Sequence, residues 1–370
     1  DKMIAVNSFI QKLRKNKIDF FCGVPDSVLK KFISNLKKHN FKNIVTANEG
    51  LAISLASGYY LITKKLPCVY MQNSGLGNAI NPLTSIVHKN VYSIPMLLII
   101  GWRGAPNIKD EPQHQVKGAI TTKLLNLLKI KYVILDKYKN FDKINTLIKY
   151  SKSKKVPVAI LIKNNILSDT NFKTRYSINQ KYMTREFFFE NLLNMLPKKS
   201  YLISTTGYTS RELYQIRKSK NINIGKDFYM VGGMGHTSSL SLGVSLNTNI
   251  QTFCLDGDGS LLMHMGSLVT NTIHPRKNFK HVLLNNNLHE SVGDQKTMAN
   301  KIDFKLLTKS LGYKNYFIIK SKNDLVKKLI KFIKSNGPSF LEVKINPGSI
   351  ENLTRPKNLL NLKKKFMMKF

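Results

Sequence analysis

Two polar clusters in the second half of the chain have the residue types and spacing of a phosphate- and metal-binding site. Residues 256–260 (DGDGS) follow one apolar run, and residues 285–287 (NNN) end another. Glycines let the backbone approach a phosphate, and the N-terminus of a following helix favours an anion. Asp258 and an asparagine side chain supply oxygen ligands of the kind that Mg²⁺ binds. The pair indicates a Mg²⁺–diphosphate site, whereas DGDGS alone is more simply a tight turn with a helix-capping Asp.

A single carboxylate in the first half, Glu49, stands where a predicted strand meets a predicted helix. It lies in 46–50 (TANEG), at the start of a segment rich in Ala, Leu and Ser. The chain has 21 acidic and 59 basic residues, so a carboxylate at such a junction is notable. From the residues alone, Glu49 is either a functional acid or an acid that interacts favourably with the helix dipole.

The elements that must position these residues alternate between short apolar runs and helical patterns. In the first half we predict strands at 18–22, 42–46, 67–72, 94–101 and 156–162, and helices at 28–38, 49–62 and 76–88. In the second half we predict a helix at 185–195 and strands at 201–204, 227–231, 252–255, 281–285 and 339–345. Strands separated by helices indicate parallel sheets with crossover helices. The predicted organisation is a domain at 1–167, a polar linker at 168–182, a domain at 183–350 and a basic C-terminal tail at 351–370.

Composition places the chain among globular proteins and leaves its charge with two explanations. Of the 370 residues, 42% are hydrophobic and 22% are charged, which excludes a disordered chain. The net charge of +38 is either a polyanion-binding footprint or a compositional bias. Lysines occur in every segment rather than in one patch, and this favours the bias.

The cysteines and the apolar runs of the chain indicate where in the cell the protein is expected to reside. Cys22, Cys68 and Cys254 have neither the CxxC spacing of a zinc site nor the number that a disulfide framework requires. The longest apolar run, 92–100, is too short to span a bilayer. The first residues lack the apolar core of a signal peptide. We therefore expect a soluble cytoplasmic protein with no membrane partner.

Together, GDGS (257–260) and NN (285–286) resemble the diphosphate-binding signature of thiamine diphosphate (ThDP) enzymes. Further segments resemble the two-domain phosphonopyruvate and sulfopyruvate decarboxylases, and the phosphonopyruvate branch is the closer match. These segments are GVPDS (23–27), NSGLGN (73–78), GWRG (101–104), DEPQH (110–114), STTG (204–207), LMHMG (262–266) and HESVG (289–293). The resemblance covers nearly the whole chain. It implies an α/β protein with two doubly wound parallel-sheet domains of the ThDP-binding fold, one pyrimidine-binding and one diphosphate-binding, without a middle domain.

The resemblance also implies roles for individual residues. Glu49 matches the Glu whose proton hydrogen-bonds the aminopyrimidine ring of ThDP and activates the cofactor. Met234 matches the apolar residue between the two rings of the cofactor, and the Gly232 carbonyl faces its exocyclic nitrogen. The expected diphosphate contacts are Gly259 and Ser260, with Thr206 and Thr209 as further candidates. The expected Mg²⁺ ligands are Asp258, the Asn286 side chain and the Leu288 carbonyl, with Asn287 as the alternative to Asn286.

An anionic substrate requires cationic or hydrogen-bond-donating side chains around it. The candidates at predicted strand ends are Ser27, Arg103, His114, Lys117 and His289. His114 and His289 are also candidates for catalytic proton transfer near neutral pH. Asp294 departs from the family pattern and would add a negative charge near this site.

The activity implied is ThDP- and Mg²⁺-dependent decarboxylation of 3-phosphonopyruvate to phosphonoacetaldehyde and CO₂ in phosphonate biosynthesis. Sulfopyruvate decarboxylation is the alternative within enzymes, because a sulfonate carries one negative charge fewer. The non-enzymatic alternative is a basic polyanion-binding protein on a degenerate enzyme fold. The intact Glu49, Asp258 and NN argue against it, and against a nucleic-acid partner. The family further implies a homodimer or a dimer of dimers with shared active sites.

Overall fold

A computed structural model describes residues 3–136, 140–169 and 176–370 of the chain. The chain divides into two compact units, the first formed by 1–174 with 292–295 and the second by 175–291 with 296–370. The predicted linker at 168–182 lies partly outside the described residues. Each unit contains a six-stranded sheet whose neighbouring strands are all parallel.

The first unit alternates strands and helices from its start. Its strands are β1 (Ile4–Ala5), β2 (Phe20–Gly23), β3 (Lys42–Val45), β4 (Cys68–Gln72), β5 (Leu97–Trp102), β6 (Lys131–Leu135), β7 (Val158–Lys163) and β8 (Leu167–Ser168). Its helices are α1 (Val6–Lys15), α2 (Lys30–Lys38), α3 (Glu49–Thr63), α4 (Leu76–Ser85), α5 (Pro112–Leu127) and α6 (Lys143–Lys154). A 3₁₀ turn, Asn73–Gly75, precedes α4.

The second unit continues the alternation. Its strands are β9 (Ser200–Ser204), β10 (Lys226–Tyr229), β11 (Gln251–Gly257), β12 (Phe279–Asn285), β13 (Leu288–His289), β14 (Gln295–Lys296), β15 (Asn315–Ile319) and β16 (Ser339–Lys344). Its helices are α7 (Arg185–Met195), α8 (Tyr208–Ser219), α9 (Thr237–Leu246), α10 (Asp258–Met263), α11 (Ser267–Ile273), α12 (Phe304–Leu311), α13 (Lys322–Lys334) and α14 (Leu359–Met367). Two 3₁₀ turns occur at Glu290–Val292 and Ala299–Lys301.

The two six-stranded sheets have the same topology. Their orders are β3-β2-β4-β5-β7-β6 and β10-β9-β11-β12-β16-β15, which are identical when only the strands of each six-stranded sheet are counted in chain order. The strand order reverses between β2 and β4 and again between β9 and β11. In open α/β sheets ligands bind outside the carboxyl ends of the strands at such reversals. Each unit therefore has one place, at the carboxyl ends of its strands, where this fold is expected to bind a ligand.

Alternate residues of the central strands face opposite layers of helices. In β5, Ile99 shares a core with Phe9 of α1 and Phe32 of α2. The next residue, Ile100, faces the other way and shares a core with Ile53 of α3. The second unit is divided in the same manner. Near-continuous apolar strands with helices on both faces are typical of buried parallel sheets, and the predicted doubly wound fold is confirmed.

Two strands of the six-stranded sheets were missed by sequence reasoning, as were the two-residue strands β1, β8, β13 and β14. β6 and β15 are sheet edges with one neighbour each, β7 and β16 respectively, and most of their residues are only half-buried. Each contains an apolar run of four residues, YVIL (132–135) or YFII (316–319), and periodicity alone does not distinguish such a short run from part of a helix.

The predicted basic tail contains a helix, α14. Phe366 of this helix packs against Tyr201 and Phe228, with ring centroids 5.0 and 5.6 Å apart.

Among the described residues, none of the helices combines the length and the hydropathy that a membrane-spanning segment needs. Cys22, Cys68 and Cys254 are all buried and free.

Candidate active site

Glu49 is the first residue of α3, and its side chain is buried. Asn48 caps this helix, because its side-chain oxygen accepts a hydrogen bond from Leu51 N (3.0 Å). The Glu49 carboxyl group accepts a hydrogen bond from Asn78 Nδ2 at 2.8 Å. Burial raises the pKa of Glu49, while the Asn78 hydrogen bond and the Lys117 ammonium oppose that rise. Glu49 therefore keeps a proton to higher pH than an exposed glutamate, as a proton donor must.

Gly75 leaves the space that the Glu49 carboxyl group occupies. A Cβ atom on Gly75 would lie 2.2 Å from Glu49 Oε1 and 2.4 Å from Glu49 Cδ. A residue with any side chain would therefore displace Glu49. By contrast, Gly77 in α4 is exposed, and a Cβ there would meet nothing within 4 Å.

We expect Gly75→Ala to lower the catalytic rate by about 10²-fold, the scale on which misplacing a catalytic group by 1 Å acts. The matched control is Gly77→Ala, which adds the same methyl group two residues away and should leave the rate unchanged. Steady-state rates and melting temperatures of both variants test this. Equal rates for Gly75→Ala and wild type would contradict the placement of Glu49 as a catalytic acid.

Arg103 and Ser27, both predicted for this site, are in contact. Arg103 Nη1 donates a hydrogen bond to Ser27 Oγ (3.3 Å). The same guanidinium forms a two-point pair with Asp110, with Nε–Oδ2 at 2.8 Å and Nη2–Oδ1 at 2.6 Å. Asn73 holds the Arg103 backbone by accepting from its N–H (3.1 Å) and donating to its carbonyl (2.9 Å). Arg103 is thus fixed in place, but the expected cationic wall is partly neutralised by Asp110, which sequence reasoning did not assign.

His114 and Lys117 lie one turn apart on α5. Burial, reinforced by the positive charges of Arg103 and Lys117, lowers the pKa of His114 to about 4. His114 is therefore uncharged at neutral pH, and its Nδ1 is buried without a hydrogen-bond partner. Burial also lowers the pKa of Lys117, while Glu49 raises it. His114 can accept or donate a hydrogen bond in this site, but at neutral pH it adds no positive charge.

Asp258 begins α10 directly after β11, at the strand-order reversal of the second unit. Its side chain is buried, and its Oδ2 accepts a hydrogen bond from the Thr297 hydroxyl. Burial raises the pKa of Asp258 to about 7, against the effect of the Thr297 hydrogen bond. Gly257 pairs with Leu284 of β12, so Asp258 and the 285–287 segment follow neighbouring strands at the same level. The two predicted clusters meet at one edge of the sheet.

The three consecutive asparagines have different surroundings. The Asn285 side chain is hydrogen-bonded within the sheet, because its Nδ2 donates to Glu342 Oε1 of the neighbouring strand (2.9 Å). The Asn286 side-chain oxygen accepts from Leu288 N (3.0 Å), while that of Asn287 is buried without a partner. Asn286 and Asn287 therefore remain the candidates, as predicted. A buried carboxylate with amide and carbonyl oxygens is the donor set of a hard divalent cation, so these residues fit Mg²⁺.

Gly259, Met234 and His289 come together beside Asp258. A Cβ on Gly259 would lie 2.8 Å from His289 Cε1 and 3.3 Å from Met234 Cε. Burial lowers the pKa of His289 to about 4, so it too is uncharged at neutral pH. The bare backbone of Gly259 thus packs against two predicted site residues, and a side chain at this position would collide with the His289 ring.

Ser260 links the 257–260 turn to two neighbouring segments by hydrogen bonds. Its hydroxyl oxygen accepts hydrogen bonds from Thr205 Oγ1 (2.8 Å) and Gly235 N (3.1 Å). It therefore anchors the loop that contains Gly232, in addition to any cofactor contact. Thr206 lies in the turn after β9, and buried Thr209 lies in the first turn of α8.

Contacts that hold the site were absent from the sequence prediction. The partners of predicted residues that sequence reasoning missed are Asn78, Asp110, Thr205 and Thr297. Asn78 and Asp110 stand inside motifs that were singled out, but Thr297 has no local signal, since it meets Asp258 only through the fold.

Comparison with known proteins agrees with this geometry. Residues 3–124 match the family "Thiamine pyrophosphate enzyme, N-terminal TPP binding domain", and residues 205–343 match the corresponding C-terminal TPP binding domain family. Thiamine pyrophosphate is another name for ThDP. The first match includes Glu49 and the second includes Asp258 and the asparagines.

Curated relatives align over nearly the whole chain. The phosphonopyruvate decarboxylase of Streptomyces viridochromogenes is 33% identical over 96% of this chain and 92% of that protein. The phosphonopyruvate decarboxylase of Streptomyces hygroscopicus is 32% identical over 96% of this chain and 91% of that protein. The sulfopyruvate decarboxylase of Methanosarcina acetivorans is 27% identical over 92% of this chain and 91% of that protein. The non-enzymatic alternative has no support here, and the chain belongs to the phosphonopyruvate decarboxylase family of ThDP-dependent carboxy-lyases.

Proposed function

We propose that this enzyme decarboxylates 3-phosphonopyruvate to phosphonoacetaldehyde and CO₂, with ThDP and Mg²⁺, in phosphonate biosynthesis. The observation that carries the proposal is the alignment with two phosphonopyruvate decarboxylases at 33% and 32% identity over 96% of the chain. We place the enzyme in the cytoplasm, where its three free cysteines stay reduced.

Residues at the sheet edges of the two units would bind different parts of the cofactor. Bound ThDP supplies a nucleophilic carbon and an electron sink for carboxylate loss. Glu49, whose pKa burial raises, would present its acid proton to the aminopyrimidine ring. Met234 and the Gly232 carbonyl would fix the ring orientation. The residues that would hold the diphosphate and Mg²⁺ are Gly259, Ser260, Thr206, Thr209, Asp258, Asn286 or Asn287, and the Leu288 carbonyl.

The substrate would be bound through its two anionic ends. Arg103, fixed by Asp110 and Asn73, and the adjacent Ser27 present donors of defined geometry, which suits a phosphonate or carboxylate oxygen. Lys117 adds a positive charge close to Glu49. Uncharged His114 and His289 are suited to hydrogen-bonding the keto oxygen or relaying a proton during product formation.

The substrate assignment is tested by competition among keto acids. We expect kcat/KM for phosphonopyruvate to exceed that for sulfopyruvate, and pyruvate to be a poor substrate because it lacks the second anion. Sulfopyruvate is the second candidate because a sulfopyruvate decarboxylase aligns over 92% of the chain. A higher kcat/KM for sulfopyruvate would overturn the phosphonate assignment and leave the cofactor chemistry intact.

We further propose a homodimer, or a dimer of dimers, in which Glu49 of one chain serves ThDP held by Asp258 of the other. The helix that begins with Glu49 supports this proposal. Its Leu51, Leu61 and Ile62 side chains are 52%, 61% and 86% exposed, an apolar face of the kind that marks protein interfaces.

Mixing two inactive variants tests the shared site. In a random mixture of Glu49→Gln and Asp258→Asn chains, half the dimers are mixed, and each mixed dimer has one intact site. We therefore expect recovery of about a quarter of wild-type activity after the chains are allowed to exchange. No recovery, although exchange is shown by mass labelling, would place both residues of each site in one chain.

A further inference from the structure

Three buried charged residues form a network in the second unit beside the proposed metal-binding segment. Arg185 at the start of α7 lies between Glu212 of α8 and Glu290, and the three side chains are 5%, 1% and 7% exposed. Arg185 Nη1 is 3.3 Å from Glu212 Oε1, and Arg185 Nη2 is 2.8 Å from Glu290 Oε2. Buried charges persist only when they are paired and hydrogen-bonded. The network therefore fixes Glu290 in position.

Glu290 connects this network to Asn286. Its Oε2 also accepts a hydrogen bond from Asn286 Nδ2 at 2.9 Å, and its Oε1 accepts one from Gly348 N. An ionised carboxylate only accepts hydrogen bonds, so the NH₂ group of Asn286 must point toward Glu290 and its oxygen must point away. That oxygen accepts from Leu288 N and keeps a second lone pair.

We propose that Glu290 is a positioning residue that orients the Asn286 amide so that its oxygen is available to Mg²⁺, and that Arg185 and Glu212 hold Glu290 in place. The inference rests on the proposed role of Asn286 as a metal ligand. A side-chain amide has nearly the same shape in either orientation, but only its oxygen binds a hard cation. Two contacts set the orientation of the Asn286 amide, Leu288 N at its oxygen and Glu290 at its nitrogen, and without Glu290 only the first would remain.

The test compares two variants of the same network. Glu290→Gln places an amide next to Asn286, where it can donate to the Asn286 oxygen and reverse the orientation. Glu212→Gln removes a charge from the same network, but its amide oxygen can still accept a hydrogen bond from Arg185, so that Glu290 stays in place and Asn286 is not touched. With Mn²⁺ as the probe, in the presence of ThDP, electron paramagnetic resonance measures metal affinity directly, and melting temperatures report the stability that each variant loses.

We expect Mn²⁺ affinity to fall by about 10- to 100-fold in Glu290→Gln and by less than about threefold in Glu212→Gln. Equal losses in both variants would mean that the network only stabilises the unit and would overturn the proposal. Unchanged affinity in Glu290→Gln would overturn it as well. Failure of the wild-type chain to bind Mn²⁺ with ThDP would instead refute the proposed metal site, on which the inference rests.

A double variant makes the test independent of whether Glu290→Gln folds well alone. When Asn286→Asp is combined with Glu290→Gln, the hydrogen bond is restored with its polarity reversed. The introduced glutamine donates, and the introduced carboxylate offers an oxygen on either side. We expect Mn²⁺ affinity to return to within about tenfold of wild type. A double variant that folds and binds Mn²⁺ no better than Glu290→Gln, or 100-fold more weakly than wild type, would contradict orientation as the role of Glu290.

Discussion

Glu49→Gln is expected to lower kcat by about 10²- to 10⁴-fold, the range that a positioned proton-transfer group contributes. The replacement keeps the shape of the side chain, and its amide oxygen can still accept the hydrogen bond from Asn78 Nδ2. What it removes is the exchangeable acid proton, which burial favours in the wild-type chain by raising the pKa of Glu49. ThDP should therefore bind within a few-fold of its wild-type affinity.

The combination of retained binding and lost turnover distinguishes a chemical role from a structural one. Steady-state CO₂ release gives kcat, and titration of intrinsic fluorescence with ThDP gives the affinity. The exposed residue Glu351 provides a control, since Glu351→Gln makes the same chemical change away from the site. A loss of ThDP binding that accounts for the whole loss of activity would show that Glu49 only shapes the site.

Asp258→Asn is expected to abolish cofactor-dependent activity and yet to stabilise the metal-free protein. Activity is lost because the neutral amide is a weaker Mg²⁺ ligand than a carboxylate, and metal affinity should fall by at least about 10²-fold. Stability rises because burial removes water from the wild-type carboxylate at a cost that its hydrogen bonds do not offset, which raises its pKa to about 7 from an ordinary value of 3.8. The amide removes that charge and can still accept the hydrogen bond from Thr297.

The stability effect depends on pH in a defined direction. Between about pH 4 and 7 the folded chain keeps the Asp258 proton while the unfolded chain has lost it, so wild-type stability falls as pH rises through this window. Asp258→Asn has no titrating group at this position, so its stability does not fall for this reason between about pH 4 and 7. Without metal, its melting temperature should exceed that of wild type by several degrees at pH 8 and match it near pH 4.

Adding ThDP and Mg²⁺ should reverse the order, because ligand binding stabilises only the chain that can bind. Thermal melts at both pH values, with and without the ligands, give four comparisons. A metal-free variant that melts below wild type at pH 8 would contradict the account of Asp258 as a carboxylate whose burial destabilises its charged form.

The sequence was sufficient to predict the fold, for identifiable physical reasons. Buried parallel strands are apolar along their length, so β4 and β5 were visible as runs of apolar residues. Glycine-rich turns follow these strands, at the carboxyl ends where ligands bind in open α/β sheets. The sheet-edge strands β6 and β15 contain apolar runs of only four residues, YVIL (132–135) and YFII (316–319), and were missed.

The interactions that tune the site could not be predicted, because they depend on how the chain folds. Arg103 was a candidate for the cationic wall around the substrate, and its pairing with Asp110, which accepts two hydrogen bonds from it, was not predicted. His114 and His289 were candidates for proton transfer near neutral pH, and burial lowers the pKa of each to about 4. Burial and pairing are properties of the folded chain. Residue type and spacing therefore identify the participants but not their charge states.

The central claim is tested most directly by measuring CO₂ release from phosphonopyruvate. The full chain is first stripped of cofactor and metal and is then supplied with ThDP and Mg²⁺, singly and together. We predict turnover only when both are present, with phosphonoacetaldehyde formed in equal amount and trapped as its hydrazone. No CO₂ from phosphonopyruvate with both present, or equal release without ThDP, would contradict the proposal that this chain is a ThDP-dependent phosphonopyruvate decarboxylase.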